Sequence, residues 1–118
     1  MRKVYQLSNC STCQRIIKEL GGLEDFENQN IKAHPITKKQ VDEMKKLSGS
    51  YESLFSRRAM KYRSMGLADK TLTEKDYREL ISDEYTFLKR PVIIIDDEIF
   101  IGNAKKVVAA AKAKLEGK

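Results

Sequence analysis

Four consecutive β-branched residues, Val92-Ile93-Ile94-Ile95, constrain this chain more than any other stretch. A run that short and that uniformly apolar reads as a strand buried on both faces. Such a strand belongs inside a sheet with helices packed against it, so the fold class is α/β. The downstream flank extends the reading. Asp96-Asp97 predicts a turn, and Ile99-Phe100-Ile101 pairs back as a hairpin.

At the other end of the chain, Val4-Tyr5-Gln6-Leu7 is a β-prone run that stops at Ser8-Asn9. Ile16, Ile17 and Leu20 then recur at helical spacing, with Gly21-Gly22 as the stop. Phe26 to Ile31 is a weaker strand, since Asn28 and Asn30 argue against it. Thr37-Lys38-Lys39-Gln40 is a capping-box pattern ahead of a helix with Val41, Met44 and Leu47 on one face, closed by Gly49-Ser50. Residues 51–67 read as helical in pieces and carry Arg57, Arg58 and Arg63. Thr73 caps a further helix whose inner face is Tyr77, Leu80 and Ile81. Asn103 is the expected cap of the last helix, striped by Val107, Val108, Ala111 and Leu115. The order strand, helix, strand, helical insertion, hairpin, helix predicts a mixed sheet of about four strands flanked by helices. That is a thioredoxin-like arrangement in a single domain over residues 1–118, with the insertion spanning about residues 37–88.

Composition narrows the function classes. With 41% hydrophobic and 34% charged residues, the chain reads as an ordinary globular domain. No apolar run approaches the roughly 18 residues needed to cross a bilayer, so no membrane association is expected. Met1 to Leu7 lacks the apolar core of a secretory signal, which places the expected location in the cytoplasm, where thiols stay reduced. The net charge of +6 is spread along the chain without an aromatic-basic motif, which argues against direct nucleic-acid binding. Lys105, Lys106, Lys112 and Lys114 read as the wet face of the last helix, and the excess charge suits small anions or an acidic protein partner.

Cys10 and Cys13 are the whole cysteine supply, too close together to staple a fold. A structural zinc site needs four ligands and His34 is the lone histidine, so no metal is expected unless two subunits share one. Cys10-Ser11-Thr12-Cys13 lies between the first strand and the first helix. Free backbone N–H groups and the helix dipole there stabilise a thiolate at Cys10, and Arg15 adds positive charge. Cys13, one helical turn on, can close a disulfide with Cys10 and resolve a mixed disulfide formed there. The bland alternative is a pair of small buried cysteines, but CxxC at such a junction specifically reads as redox. Arg90-Pro91, ahead of the buried strand, is the second signal. Proline is tolerated at a strand start, and a cis bond would set backbone polar groups beside Cys10, although most X-Pro bonds are trans.

Four segments, Asn9-Cys10-Ser11-Thr12-Cys13, Leu54-Phe55-Ser56-Arg57-Arg58, Tyr62-Arg63-Ser64-Met65-Gly66-Leu67 and Leu88-Lys89-Arg90-Pro91-Val92-Ile93-Ile94, together resemble the arsenate reductase/Spx family nearly end to end. The resemblance implies a thioredoxin-like fold with a helical insertion, a Cys10 nucleophile, and Arg90 preceding a cis Pro91. In the glutaredoxin-coupled arsenate reductases arginines hold the oxyanion while the cysteine attacks arsenic. Arg58, or its neighbour Arg57, stands at the first such arginine and Arg90 at the second. Ser11, Thr12 and Pro91 complete the implied binding set. No bound cofactor is implied. Glutathione with glutaredoxin, or thioredoxin, is the implied external reductant, and a small oxyanion or a mixed disulfide the implied substrate. Gly102-Asn103 stands where those reductases carry a further arginine, and they usually lack a cysteine at Cys13. Both departures are shared with the Spx branch, whose CxxC is a redox switch on a regulator that binds RNA polymerase. Against that branch, the chain ends at Lys118, just after the final helix. The expected function is thus a thiol-dependent oxidoreductase, with the redox-switched regulator as the alternative.

Overall fold

The structure, a computed structural model, describes residues 1–117. Its strands are β1 (Arg2–Gln6), β2 (Glu27–Asn30), β3 (Val92–Ile95) and β4 (Glu98–Ile101). Its helices are α1 (Ser11–Glu19), α2 (Lys38–Ser48), α3 (Met60–Ser64), α4 (Glu74–Asp83) and α5 (Lys105–Leu115). The chain forms two compact units, one of Met1–His34 with the chain from Arg90 onward, the other of Pro35–Lys89.

The first unit contains the sheet, ordered β2-β1-β3-β4. β1 and β2 are parallel, with Val4 opposite Asn28, and α1 lies in the crossover between them. β3 is antiparallel to β1, Val4 opposite Ile93, and β4 is antiparallel to β3, Ile93 opposite Phe100. The mixed α/β sheet expected from the sequence is present, and the Val92–Ile95 run is buried at every residue. One face of the sheet carries Val4, Ile93, Ile95 and Phe100 in a core with Ile16, Ile17 and Leu20 of the α1 region and Val108 and Ala111 of α5. Tyr5, Val92 and Ile94, which alternate with that set, are fully buried as well.

β2 shows why its sequence reads poorly as a strand. It is an edge strand, Glu27-Asn28-Gln29-Asn30, exposed or half-buried throughout, while the buried anchors Phe26 and Ile31 lie just outside it. An edge strand with a wet side tolerates asparagine. The hairpin turn places Asp96 in the left-handed region, φ +58°, which aspartate accepts more readily than most residues.

Asn103 is not the cap of α5. Ala104 holds the N-cap position and no side chain caps the helix. Gly102 takes a left-handed φ of +88°, and its N–H donates to the Pro91 carbonyl at 2.9 Å. The backbone is therefore still committed to the strand region at Gly102, and Asn103 falls one residue short of the cap. β1 also begins earlier than the apolar pattern indicates and ends at Gln6, which leaves Leu7 in the loop.

In the second unit both threonine caps form complete boxes. Thr37 Oγ1 accepts the Gln40 N–H while Gln40 Oε1 accepts the Thr37 N–H, both at 3.1 Å. Thr73 and Asp76 do the same at 3.2 and 2.8 Å. Gly49, at φ +98°, ends α2 in the left-handed conformation that glycine adopts without a Cβ penalty. The apolar faces are narrower than the periodicity suggests: Val41, Met44, Tyr77 and Ile81 are buried, Leu47 is exposed and Leu80 only half-buried. Residues 51–67 are helical in pieces, as the sequence indicates, with 3-10 turns at Glu52–Leu54 and Leu67–Asp69 on either side of α3. Arg57 is committed within this unit, donating to Glu52 at 2.7 Å and to the Tyr77 hydroxyl at 3.0 Å.

α2 and α4 are tied by a forked ion pair. Arg78 donates through Nε and a terminal nitrogen to both Asp42 carboxylate oxygens at 2.7 and 3.0 Å, and the Tyr51 hydroxyl donates to Asp42 at 2.6 Å. Those bonds, the Arg78 fork first, push the Asp42 carboxyl from an ordinary 3.8 down to about 2. The folded state therefore binds the proton less well than the unfolded chain. The contribution is complete above the unfolded pKa and is lost as pH falls from about 4 towards 2. Asp42→Asn is accordingly expected to flatten the acid limb of a melting-temperature profile in that window. An unchanged limb would show that the pair contributes nothing.

Candidate redox site

The site grows from the end of β1. The strand delivers the chain into Leu7-Ser8-Asn9, and Cys10 takes the N-cap of α1 with extended backbone, φ −99° and ψ 108°. Cys10 is half-buried, whereas Cys13, in the first turn of α1, is fully buried; both are free thiols. Ser11 is exposed and Thr12 half-buried. The site thus has one half-buried and one fully enclosed cysteine a helical turn apart.

Their environments push the two thiols in opposite directions. Burial alone would raise Cys10. It is outweighed by the backbone N–H and the thiol of Cys13, by the Arg90 charge and by the Thr12 N–H, so the Cys10 pKa lies below the ordinary 9.0. As a neutral thiol Cys10 makes no side-chain capping bond. The unpaired N–H groups of the helix start act once the sulfur is charged. Cys13 is pushed up to about 11, first by burial and then by its neighbour's sulfur, against the Leu7 N–H and the Arg90 charge.

Arg90 and Pro91 stand at the entry to β3, joined by a cis peptide bond. Pro91 is buried and the Arg90 Nε is enclosed, while its charge acts on both sulfurs. The structure therefore brings Cys10, Ser11, Thr12, Cys13, Arg90 and Pro91 together in one unit. Arg58 belongs to the Pro35–Lys89 unit, where it is exposed.

Sequence reading missed the polar residues that frame this loop. Gln6 is almost completely buried on β1, and Gln14 follows Cys13 directly. Their amides are bonded to each other at 2.8 Å. The only sequence signal was a glutamine interrupting an otherwise β-prone run.

The ArsC family profile matches residues 5–111, which include every element of the site just described. The chain belongs to the ArsC family. No curated protein matches the sequence. Solved structures match widely. A solution structure from Staphylococcus aureus COL shares 29% identity over 93% of this chain and 97% of that one, with a TM-score of 0.75. A Streptococcus mutans protein described as a possible arsenate reductase shares 27% identity over 89% of this chain and 92% of its own, with a TM-score of 0.71. The arsenate reductase of Vibrio cholerae, at 12% identity, covers 93% of this chain and 96% of its own with a TM-score of 0.76, a likeness of fold. This ArsC-family chain is thioredoxin-like in its sheet order. Among its described residues no helix is long and apolar enough to cross a membrane, and no three His, Cys, Asp or Glu side chains are grouped to hold a metal ion.

Proposed function

We propose that this chain is a thiol-dependent oxidoreductase in which Cys10 attacks, Cys13 resolves and Arg90 attracts the anionic part of the substrate. The observation that carries the reading is the split between the thiols, one lowered at a helix N-cap beside an arginine, the other buried and raised to about 11. The Cys10 thiolate attacks one sulfur of a substrate disulfide. The old S–S bond breaks as the new one forms, and the departing thiolate takes the electron pair. Cys13 then gives up its proton and attacks Cys10, expelling the bound thiol and closing a Cys10–Cys13 disulfide. Two electrons from an external thiol system, glutathione with glutaredoxin or thioredoxin, reopen it. A guanidinium beside the sulfur suits substrates bearing carboxylate or oxyanion groups. Glutathione mixed disulfides fit that description, and the arsenate reductases among the structural relatives make arsenate the first oxyanion to assay. Such a thiol pair works in a reducing compartment, which favours the cytoplasm.

Alkylation across pH, resolved by peptide mass, tests the reading. Cys10 is expected to react with a midpoint below the ordinary thiol value of 9.0, and Cys13 only as pH approaches about 11. An ordinary titration at Cys10 would sink the proposal. If neither arsenate nor a glutathione mixed disulfide is turned over, while oxidised and reduced forms differ in binding RNA polymerase, a redox-switched regulator replaces the enzyme.

A further inference from the structure

Leu7, the first residue after β1, is held from three sides. Its carbonyl accepts the Cys10 backbone N–H at 3.1 Å and the Gln14 side-chain amide at 3.0 Å. Its own N–H acts on the Cys13 sulfur. The Gln14 amide also donates to Gln6 Oε1 at 2.8 Å, and Gln6 in turn donates to Asn28 Oδ1 on β2 at 2.7 Å. The three amides thus run in one direction, from α1 through β1 to β2. Gln6 immediately precedes Leu7 and Gln14 immediately follows Cys13, so the pair closes the loop 7–13 at both ends. Because Gln6 is only 4% exposed, its amide must find its partners inside the protein.

We propose that Gln14 is a positioning residue for the thiol pair: with Gln6 it clamps the 7–13 loop and fixes the Leu7 carbonyl that holds the Cys10 backbone. The inference rests on the thiol-redox reading above and extends it to a neutral side chain with no redox chemistry of its own. Without the Gln14 donor the Leu7 carbonyl keeps one of its two bonds, and the Leu7–Ser8 peptide can rotate. Rotation loosens the hold of the Leu7 carbonyl on the Cys10 backbone N–H, so Cys10 shifts relative to the Cys13 and Thr12 N–H groups that stabilise its thiolate. The buried Gln6 oxygen loses its donor at the same time.

The test compares the intact chain, Gln14→Met and Gln14→Lys by alkylation across pH, with thermal melts alongside. Methionine matches glutamine in shape but cannot donate, so the Cys10 midpoint should rise by roughly half to one pH unit, the scale of one lost hydrogen bond. Lysine restores a donor to the Leu7 carbonyl and should bring the midpoint back to the value in the unaltered chain or below it. A role confined to stability would lower both melting temperatures and leave both midpoints in place. If Gln14→Met fails to fold, Gln14→Lys carries the test, and a raised midpoint in that folded variant overturns the inference. An unmoved midpoint in folded Gln14→Met overturns it too and leaves the thiol-redox reading intact. An ordinary midpoint in the unaltered chain removes both together.

Discussion

Under the proposed thiol mechanism, Cys10→Ser is expected to lower turnover of a glutathione mixed disulfide at least about a thousandfold, while Cys13→Ser keeps the first half of the reaction. A serine hydroxyl at the helix N-cap stays protonated near neutral pH, and neither the Cys13 and Thr12 N–H groups nor the Arg90 charge can make it a thiolate-like nucleophile. Cys13 cannot substitute, because burial encloses its thiol and pushes it up to about 11. With Cys13→Ser, by contrast, Cys10 still attacks but the adduct has no internal thiol to release it. Single-turnover kinetics should then show a burst and a stable mixed disulfide, relieved only by added thiol. Residual steady-state turnover above about a tenth in Cys10→Ser would place the chemistry elsewhere.

The second large effect concerns stability. Phe55→Ala is expected to destabilise the protein by about 3–5 kcal/mol, the range for truncating a fully enclosed aromatic. The Phe55 ring stacks on Phe87 at 5.1 Å and meets Tyr77 at 4.9 Å and Tyr62 at 5.9 Å. It has no exposed surface to lose. The backbone around it is stitched as well, Ser56 N–H to the Phe87 carbonyl at 2.7 Å and Lys89 N–H to the Leu54 carbonyl at 2.9 Å. Little collapse is available to fill the gap, which puts the cost towards the upper end. Urea unfolding should show a lower midpoint at an unchanged slope. A loss under about 1 kcal/mol would mean that the aromatic cluster repacks freely.

What the sequence reveals and what it hides divide along the range of the interactions. Val92–Ile95 is legible because a β-branched run buried on both sides has few other uses. Thr37 and Thr73 are legible because a capping box closes within four residues. Cys10 and Cys13 declare themselves by spacing and by their place at a strand-to-helix junction. Asn103 misleads because the start of α5 depends on the Gly102–Pro91 bond, which links residues distant from the cap. β2 is faint because its polar side chains suit an edge, and edge position is set by the whole sheet. Gln6 shows only as a glutamine within a β-prone run, and Gln14 not at all, for the same reason. Their pairing needs β1, β2 and α1 already in place.

The contrast between Cys10 and Cys13 has an electrochemical consequence. In the pH interval between their two titrations the reduced pair holds one proton rather than two. Closing the disulfide there releases two electrons but a single proton, so the potential of the couple changes by about 30 mV per pH unit, half the slope of a dithiol that starts fully protonated. Within that interval a shift in acidity would move the poise of the pair only half as far as that of a dithiol still fully protonated. There its oxidation state would follow pH less and the supply of electrons more.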